Sequence, residues 1–188
     1  LDSFIGDRTV LDRALSLEHP VFADLKMWNG NRTMKSILDK VKGAKLTNLY
    51  CHAGEKFLTG AQESASKNEI QLFGVTVLTH YTENDCQRLY GRSLNDSVLM
   101  LSEIGRDAKI DGLILPGTCL DVVRDFDMLK LVPAVRPEWY EDKKANFQEQ
   151  TVTPGQAVRD GADILVCGSP IFKSQYSPRD AIKKILDE

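Results

Sequence analysis

Phe22-Ala23-Asp24-Leu25-Lys26-Met27-Trp28-Asn29-Gly30-Asn31-Arg32-Thr33 is the stretch on which the reading of this chain turns. It begins inside an apolar run, Pro20–Leu25, with the character of a buried strand, and ends where helical spacing opens at Thr33–Val41. A strand therefore gives way to a helix here, and in barrel enzymes that is the edge where chemistry is carried. Asp24 and Lys26 are two residues apart, and on an extended segment that spacing points both side chains the same way. The pair is the candidate acid–base centre. Taken alone, a D-x-K at a strand end is also what an ordinary salt bridge looks like, so the rest of the chain has to decide.

Working outward, the same rhythm repeats. Strand candidates are Pro20–Leu25, Leu46–Cys51, Gln71–Leu78, Gly112–Leu115, Leu129–Val132 and Asp163–Cys167. Between and after them lie helical stretches at Thr33–Val41, Lys56–Lys67, Asn95–Ala108, Cys119–Phe126, Thr153–Asp160 and Pro178–Leu186, and Pro154 sits in a first turn, where a missing N–H costs nothing. The class is α/β with a parallel sheet. Six strand–helix units fit an open doubly wound sheet or most of a (β/α)8 barrel, and length leaves both open because barrels usually need ~200 residues or more. Arg136–Val152 is too long and irregular for an ordinary connection and reads as a candidate lid or binding loop.

Composition narrows the partners. With 188 residues, 42% hydrophobic and 27% charged, the chain can bury one sizeable core, and a single domain over 1–188 is the expectation. A net charge of −3 argues against nucleic acid or an anionic membrane as partner, since such surfaces need a basic stripe; an anion would be held locally, in a pocket. Cys51, Cys86, Cys119 and Cys167 form no CxxC pair, so neither a disulfide framework nor a zinc site is expected. The apolar runs fall far short of the ~20 residues a membrane helix needs and Leu1 does not open a basic-then-apolar signal segment, so a cytoplasmic location is the expectation.

The opening stretch resembles the "F-L-D-L-K-x-x-D-I-P-x-T" segment of the orotidine 5′-phosphate decarboxylase family. Five further blocks follow in order. Asn48-Leu49-Tyr50-Cys51-His52-Ala53-Gly54 is similar to "v-N-v-H-a-x-G", and Gly74-Val75-Thr76-Val77-Leu78-Thr79 to "a-V-T-V-L-T-S". Val132-Pro133-Ala134-Val135-Arg136-Pro137 resembles "T-P-G-I-R-P", and Gln148 followed by Thr153-Pro154 resembles "D-Q-x-R-x-x-T-P". Gly161-Ala162-Asp163-Ile164-Leu165-Val166-Cys167-Gly168-Ser169-Pro170-Ile171 is similar to "G-A-D-x-x-V-x-G-R-P-I".

The resemblance implies a TIM-type (β/α)8 barrel and decarboxylation of orotidine 5′-phosphate to UMP in pyrimidine biosynthesis, with no cofactor and no metal. In the family a Lys-Asp-Lys-Asp array faces the scissile carboxylate; Asp24 and Lys26 match its centre, and Lys26 would protonate C6 as CO2 leaves. A fixed ammonium there stabilises charge that appears only in the transition state. The phosphate would fall to Arg136, Gln148, Gly168 and Ser169, the pyrimidine to the position of His80, and Thr33, Thr79 and Pro133 would also bind substrate. A homodimer is implied, because the family completes its site across a twofold interface near Asn29, Arg32 and Thr33.

Departures from the pattern carry chemistry too. The last aspartate of the array is Asn29, which can hydrogen-bond a ribose hydroxyl but cannot repel a carboxylate. The phosphate arginine is Ser169, leaving Lys143, Lys144 or Lys173 to compensate; the pyrimidine-contacting serine is the bulkier His80; and Ile-Pro is Gly30-Asn31. Neither of the family's first two strands is visible in this sequence, and Phe4-Ile5-Gly6 resembles the helix after the second, so either a fragment of a complete barrel or a six-stranded remnant is expected, the fragment being favoured because an open barrel would leave strand edges uncovered. Two alternatives stand beside decarboxylation: a catalytically silent nucleotide-binding homologue, and a related phospho-sugar lyase with an altered substrate.

Overall fold

The computed structural model describes residues 7, 9–141 and 149–188. Their contacts group into two compact units. One runs up to Val75 and takes in Leu101–Leu113; the other comprises Thr76–Met100 and Ile114–Glu188. No helix among the described residues is long and apolar enough to cross a membrane.

The first unit opens with α1 (Val10–Leu15), then β1 (Phe22–Met27), α2 (Asn31–Lys40), β2 (Leu46–Tyr50), α3 (Glu55–Lys67) and β3 (Gln71–Val75). β1 pairs with β2 and β2 with β3, both in parallel. The helices read as their spacing predicts. Met34 and Leu38 are the buried positions of α2, and Leu58, Ala61, Ser64 and Ala65 those of α3, which packs against α2. β2 is buried along four of its five residues, which is how a parallel strand covered on both faces should look. Phe73 and Leu72 on β3 complete this core.

In the second unit α4 (Glu83–Tyr90) leads to the first half of α5 (Leu94–Asp107). After β4 (Gly112–Ile114) come a 3-10 helix (Gly117–Val123), β5 (Leu129–Val132), α6 (Pro154–Arg159), β6 (Ile164–Leu165), α7 (Ser169–Phe172) and α8 (Pro178–Leu186). β5 and β6 run parallel in the register Leu131 to Ile164 and Val132 to Leu165. Leu131, Val132, Val135, Leu115, Leu120 and Val123 form the core here.

Two sequence expectations change. The helix anticipated at Cys119–Phe126 is instead 3-10 from Gly117 to Val123; its buried positions include Gly117, Leu120 and Val123, a spacing of three that suits three residues per turn. The helix α4 was not anticipated, although its start was written in the sequence. Thr82 accepts from the Asp85 N–H while the Asp85 carboxylate accepts from the Thr82 N–H, a reciprocal capping box, and Gly91 ends the helix in the left-handed conformation at φ +67. The other expected strands and helices are present with ends moved by a few residues.

Candidate active site

β1 does not run straight past β2. Phe22 and Ala23 face Leu46 and Thr47, but the next matched pair is Met27 with Leu49, so four steps on β1 answer two on β2. Asp24, Leu25 and Lys26 arch out of the ladder, as in a β-bulge. Lys26 takes a left-handed backbone at φ +48, a conformation that costs an L residue about 1–2 kcal/mol. The stranded N–H groups are taken up by a side chain: the buried Asn48 on β2 accepts from Leu25 N at 3.0 Å and Lys26 N at 2.6 Å. The hydroxyl of Thr47 donates to Ala23 O at 2.7 Å, clamping the foot of the arch.

The arch brings the expected pair together. The Lys26 ammonium donates to both oxygens of Asp24 at 2.6 and 2.5 Å, and the Asn48 amide donates to Asp24 Oδ1 at 2.7 Å. The reason differs from the expected one. Regular strand alternation does not align these side chains; the bulge and the left-handed Lys26 do. Both side chains reach solvent, at 41% and 45% exposure, so the pair is accessible to a substrate.

Two residues past Lys26 in sequence, Trp28 opens an aromatic group to which the sequence reading gave no role. The Trp28 ring sits 6.4 Å from Tyr50 and 5.9 Å from His52, and Tyr50 and His52 are 5.8 Å apart. Burial lowers the pKa of half-buried His52, which favours its neutral imidazole. Trp28 itself is 65% exposed. Asn29 and Thr33 are exposed, the latter in the first turn of α2, where its N–H bonds Gly30 O at 2.9 Å.

The remaining expected site residues lie in the second unit. Thr79 is buried, and its carbonyl accepts from Glu149 N at 3.0 Å and Gln150 N at 2.9 Å. His80 is exposed and meets Tyr81 edge-on at 5.0 Å. Gln150 fastens this end of the irregular loop: its amide donates to Tyr81 O at 3.4 Å, and it accepts from the Thr118 hydroxyl at 2.8 Å. Gln148, Lys143 and Lys144 lie outside the described residues, as do Phe4-Ile5-Gly6.

Half-buried Pro133 and Arg136 share the turn that follows β5. Arg136 N donates to Val152 O at 2.8 Å and its guanidinium to Val135 O at 3.1 Å, with Tyr140 6.0 Å from the guanidinium carbon. The cation is also felt at the end of β6, where burial pushes the Cys167 thiol up to about 11 and Arg136 opposes the rise. Gly168 is exposed and caps the short α7, whose first residue is Ser169.

Ala134 in this turn has φ +59, where the resembling motif carries glycine. Ala134→Gly is expected to raise stability by about 0.5 kcal/mol: relief of the left-handed penalty, about 1–2 kcal/mol, exceeds the added unfolded-chain entropy of about 0.4–1 kcal/mol. An unchanged or lower melting temperature would contradict it.

Comparison with known proteins shows the fold and the family. The fold is shared with the crystal structure of orotidine 5′-phosphate decarboxylase from Lactobacillus acidophilus, at TM-score 0.78 and 21% identity over 95% of this chain and 79% of that one. It is equally shared with an uncharacterized conserved protein from Geobacillus kaustophilus, at TM-score 0.79 and 18% identity over 98% and 83%. In sequence the chain is 30% identical to the orotidine 5′-phosphate decarboxylase of Caulobacter sp. (strain K31) over 193 residues, all of this chain and 82% of the relative. It is 32% identical to that of Geobacter sulfurreducens over 179 residues, 89% of this chain and 73% of the relative. Residues 4–185 match a single family model, and the chain belongs to the orotidine 5′-phosphate decarboxylase / HUMPS family.

Proposed function

We propose that the chain decarboxylates orotidine 5′-phosphate to UMP, using no metal or organic cofactor. The bond from C6 to the carboxylate breaks, the electron pair stays on C6, and Lys26 delivers a proton to it before being recharged from solvent. The observation that carries this reading is the Lys26 ammonium held against Asp24 on an exposed arch at the end of β1. A cation fixed before the reaction stabilises the carbanion with no reorganisation when charge develops. The Asp24 carboxylate fixes where that cation stands.

Arg136, with its fork-shaped guanidinium, is assigned to the phosphate together with Gln148 and the Gly168–Ser169 turn. Thr79, His80 and Pro133 are assigned to the nucleoside. Asn29 and Thr33 are assigned to the ribose side at a twofold interface, so a homodimer in the cytoplasm is part of the reading.

The test is a decarboxylation assay with orotidine 5′-phosphate alongside titration with UMP and its 6-hydroxy analogue. Turnover together with tight binding of the analogue is expected. Tight binding without turnover would replace the proposal with a silent nucleotide-binding homologue, and neither would favour a phospho-sugar lyase.

A further inference from the structure

Asn48 makes three hydrogen bonds from one side chain at 1% exposure, all to the arch that carries the reactive pair. Its amide can point only one way. The oxygen must face the two backbone N–H groups of Leu25 and Lys26, and the NH2 is then aimed at Asp24 Oδ1; reversed, donor would face donor twice. A residue that only filled the gap in the ladder would need an acceptor alone. Asn48 also supplies a donor, and it gives that donor to the same Asp24 oxygen that Lys26 holds at 2.6 Å.

We infer that Asn48 is the positioning residue of the reaction: through its carbonyl it holds Lys26 in the left-handed backbone, and through its amide it orients Asp24, so that the ammonium is presented in one place. The inference rests on the proposed decarboxylation for its kinetic consequence, though its structural consequence stands without it. Burial gives the device its stiffness. Asn48 is itself buried on the central part of β2, which leaves its side chain little room to follow the arch if the arch moves. No substrate contact is assigned to it; it acts through Asp24 and Lys26.

The two halves of the side chain can be separated by substitution. N48A removes acceptor and donor, while N48D keeps the acceptor, loses the donor and sets a second carboxylate against Asp24. For N48A, kcat is expected to fall about 10²-fold with KM little changed, the size of effect that a misplacement near 1 Å produces. N48D is expected to lose kcat as well and to shift the acid limb of its pH profile, because two adjacent carboxylates cannot both ionise freely. A residue serving the fold alone would change melting temperature and leave both the split and the profile untouched.

Crystal structures of wild type, N48A and N48D decide the matter without turnover. In N48A, Lys26 is expected to leave positive φ and its ammonium to part from Asp24; an arch and contact superimposing on wild type would overturn the inference. Should N48A not fold, the isosteric N48D carries the same test, with Asp24 expected to turn away from residue 48 and an unmoved Asp24 overturning it. Absence of UMP formation by the wild-type chain would remove the decarboxylase reading and leave this structural comparison to judge Asn48.

Discussion

Lys26→Ala is expected to lower kcat for orotidine 5′-phosphate decarboxylation by about 10² to 10⁴-fold, the range spanned by a positioned proton donor. The competing explanation, a misfolded variant, is weak at this position. The Lys26 side chain is 41% exposed and contributes nothing to the core, and alanine at φ +48 is no more strained than lysine. Removing its contact with Asp24 costs a surface ion pair, typically about 0–1 kcal/mol. Loss of activity would therefore come with an almost unchanged melting temperature. Lys26→Arg sharpens the point: guanidinium keeps the charge but does not give up a proton in proteins, so a charge-only role would leave substantial activity and a proton-donor role would not. Undiminished turnover by Lys26→Ala would end the assignment.

The D-x-K spacing picked out two residues that do meet, though for an incomplete reason. Period-two alternation assumes a regular strand, whereas the contact arises because β1 carries two extra residues between Ala23 and Met27. A bulge of that kind is set by hydrogen bonds from a neighbouring strand, and Asn48 in Leu46–Tyr50 reads locally as a polar residue beside Thr47 in a short strand. Its partners are 22 to 24 residues away in sequence, so strand periodicity does not mark its role, although it stands within the block similar to "v-N-v-H-a-x-G". The group Trp28, Tyr50 and His52 was hidden for the same reason, being split between the ends of two strands.

The elements themselves were more legible, because burial on both faces leaves a near-continuous apolar signature in a strand and a spaced one in a helix. The 3-10 segment at Gly117–Val123 was misjudged through its length and apolar content, and its spacing of three was the available clue. Thr82 to Asp85 was likewise a readable start signal for α4. The expected barrel rested on motif order, as composition and periodicity alone left an open sheet equally possible.

Gly74 carries a large expected stability effect, and it runs against propensity. In the middle of β3 a glycine is the wrong residue, costing about 0.5–1 kcal/mol relative to alanine through lost chain entropy. A methyl group there, however, would stand 2.5 Å from Cys51 Sγ and 2.6 Å from Ile110 Cδ1. Both neighbours are buried, at 0% and 4% exposure, so neither can swing into solvent. Overpacking of this kind costs about 1–3 kcal/mol and more when two side chains must yield at once. Gly74→Ala is therefore expected to destabilise by about 2 kcal/mol, lowering the melting temperature by about 4–8 °C for a chain of this length. Gly30→Ala is the matched control: no atom lies within 4 Å of the added methyl, and its effect should stay within about 0.5 kcal/mol. Cys51→Ala in the Gly74→Ala background removes one of the two collisions and should recover part of the loss, giving a coupling that two independent sites would not show. Full stability of Gly74→Ala would mean that β2 and β3 accommodate a methyl here by a shift of backbone. In that event Asn48, one strand away and fixed in the same parallel register, would be expected to move with them and carry the Asp24–Lys26 contact along.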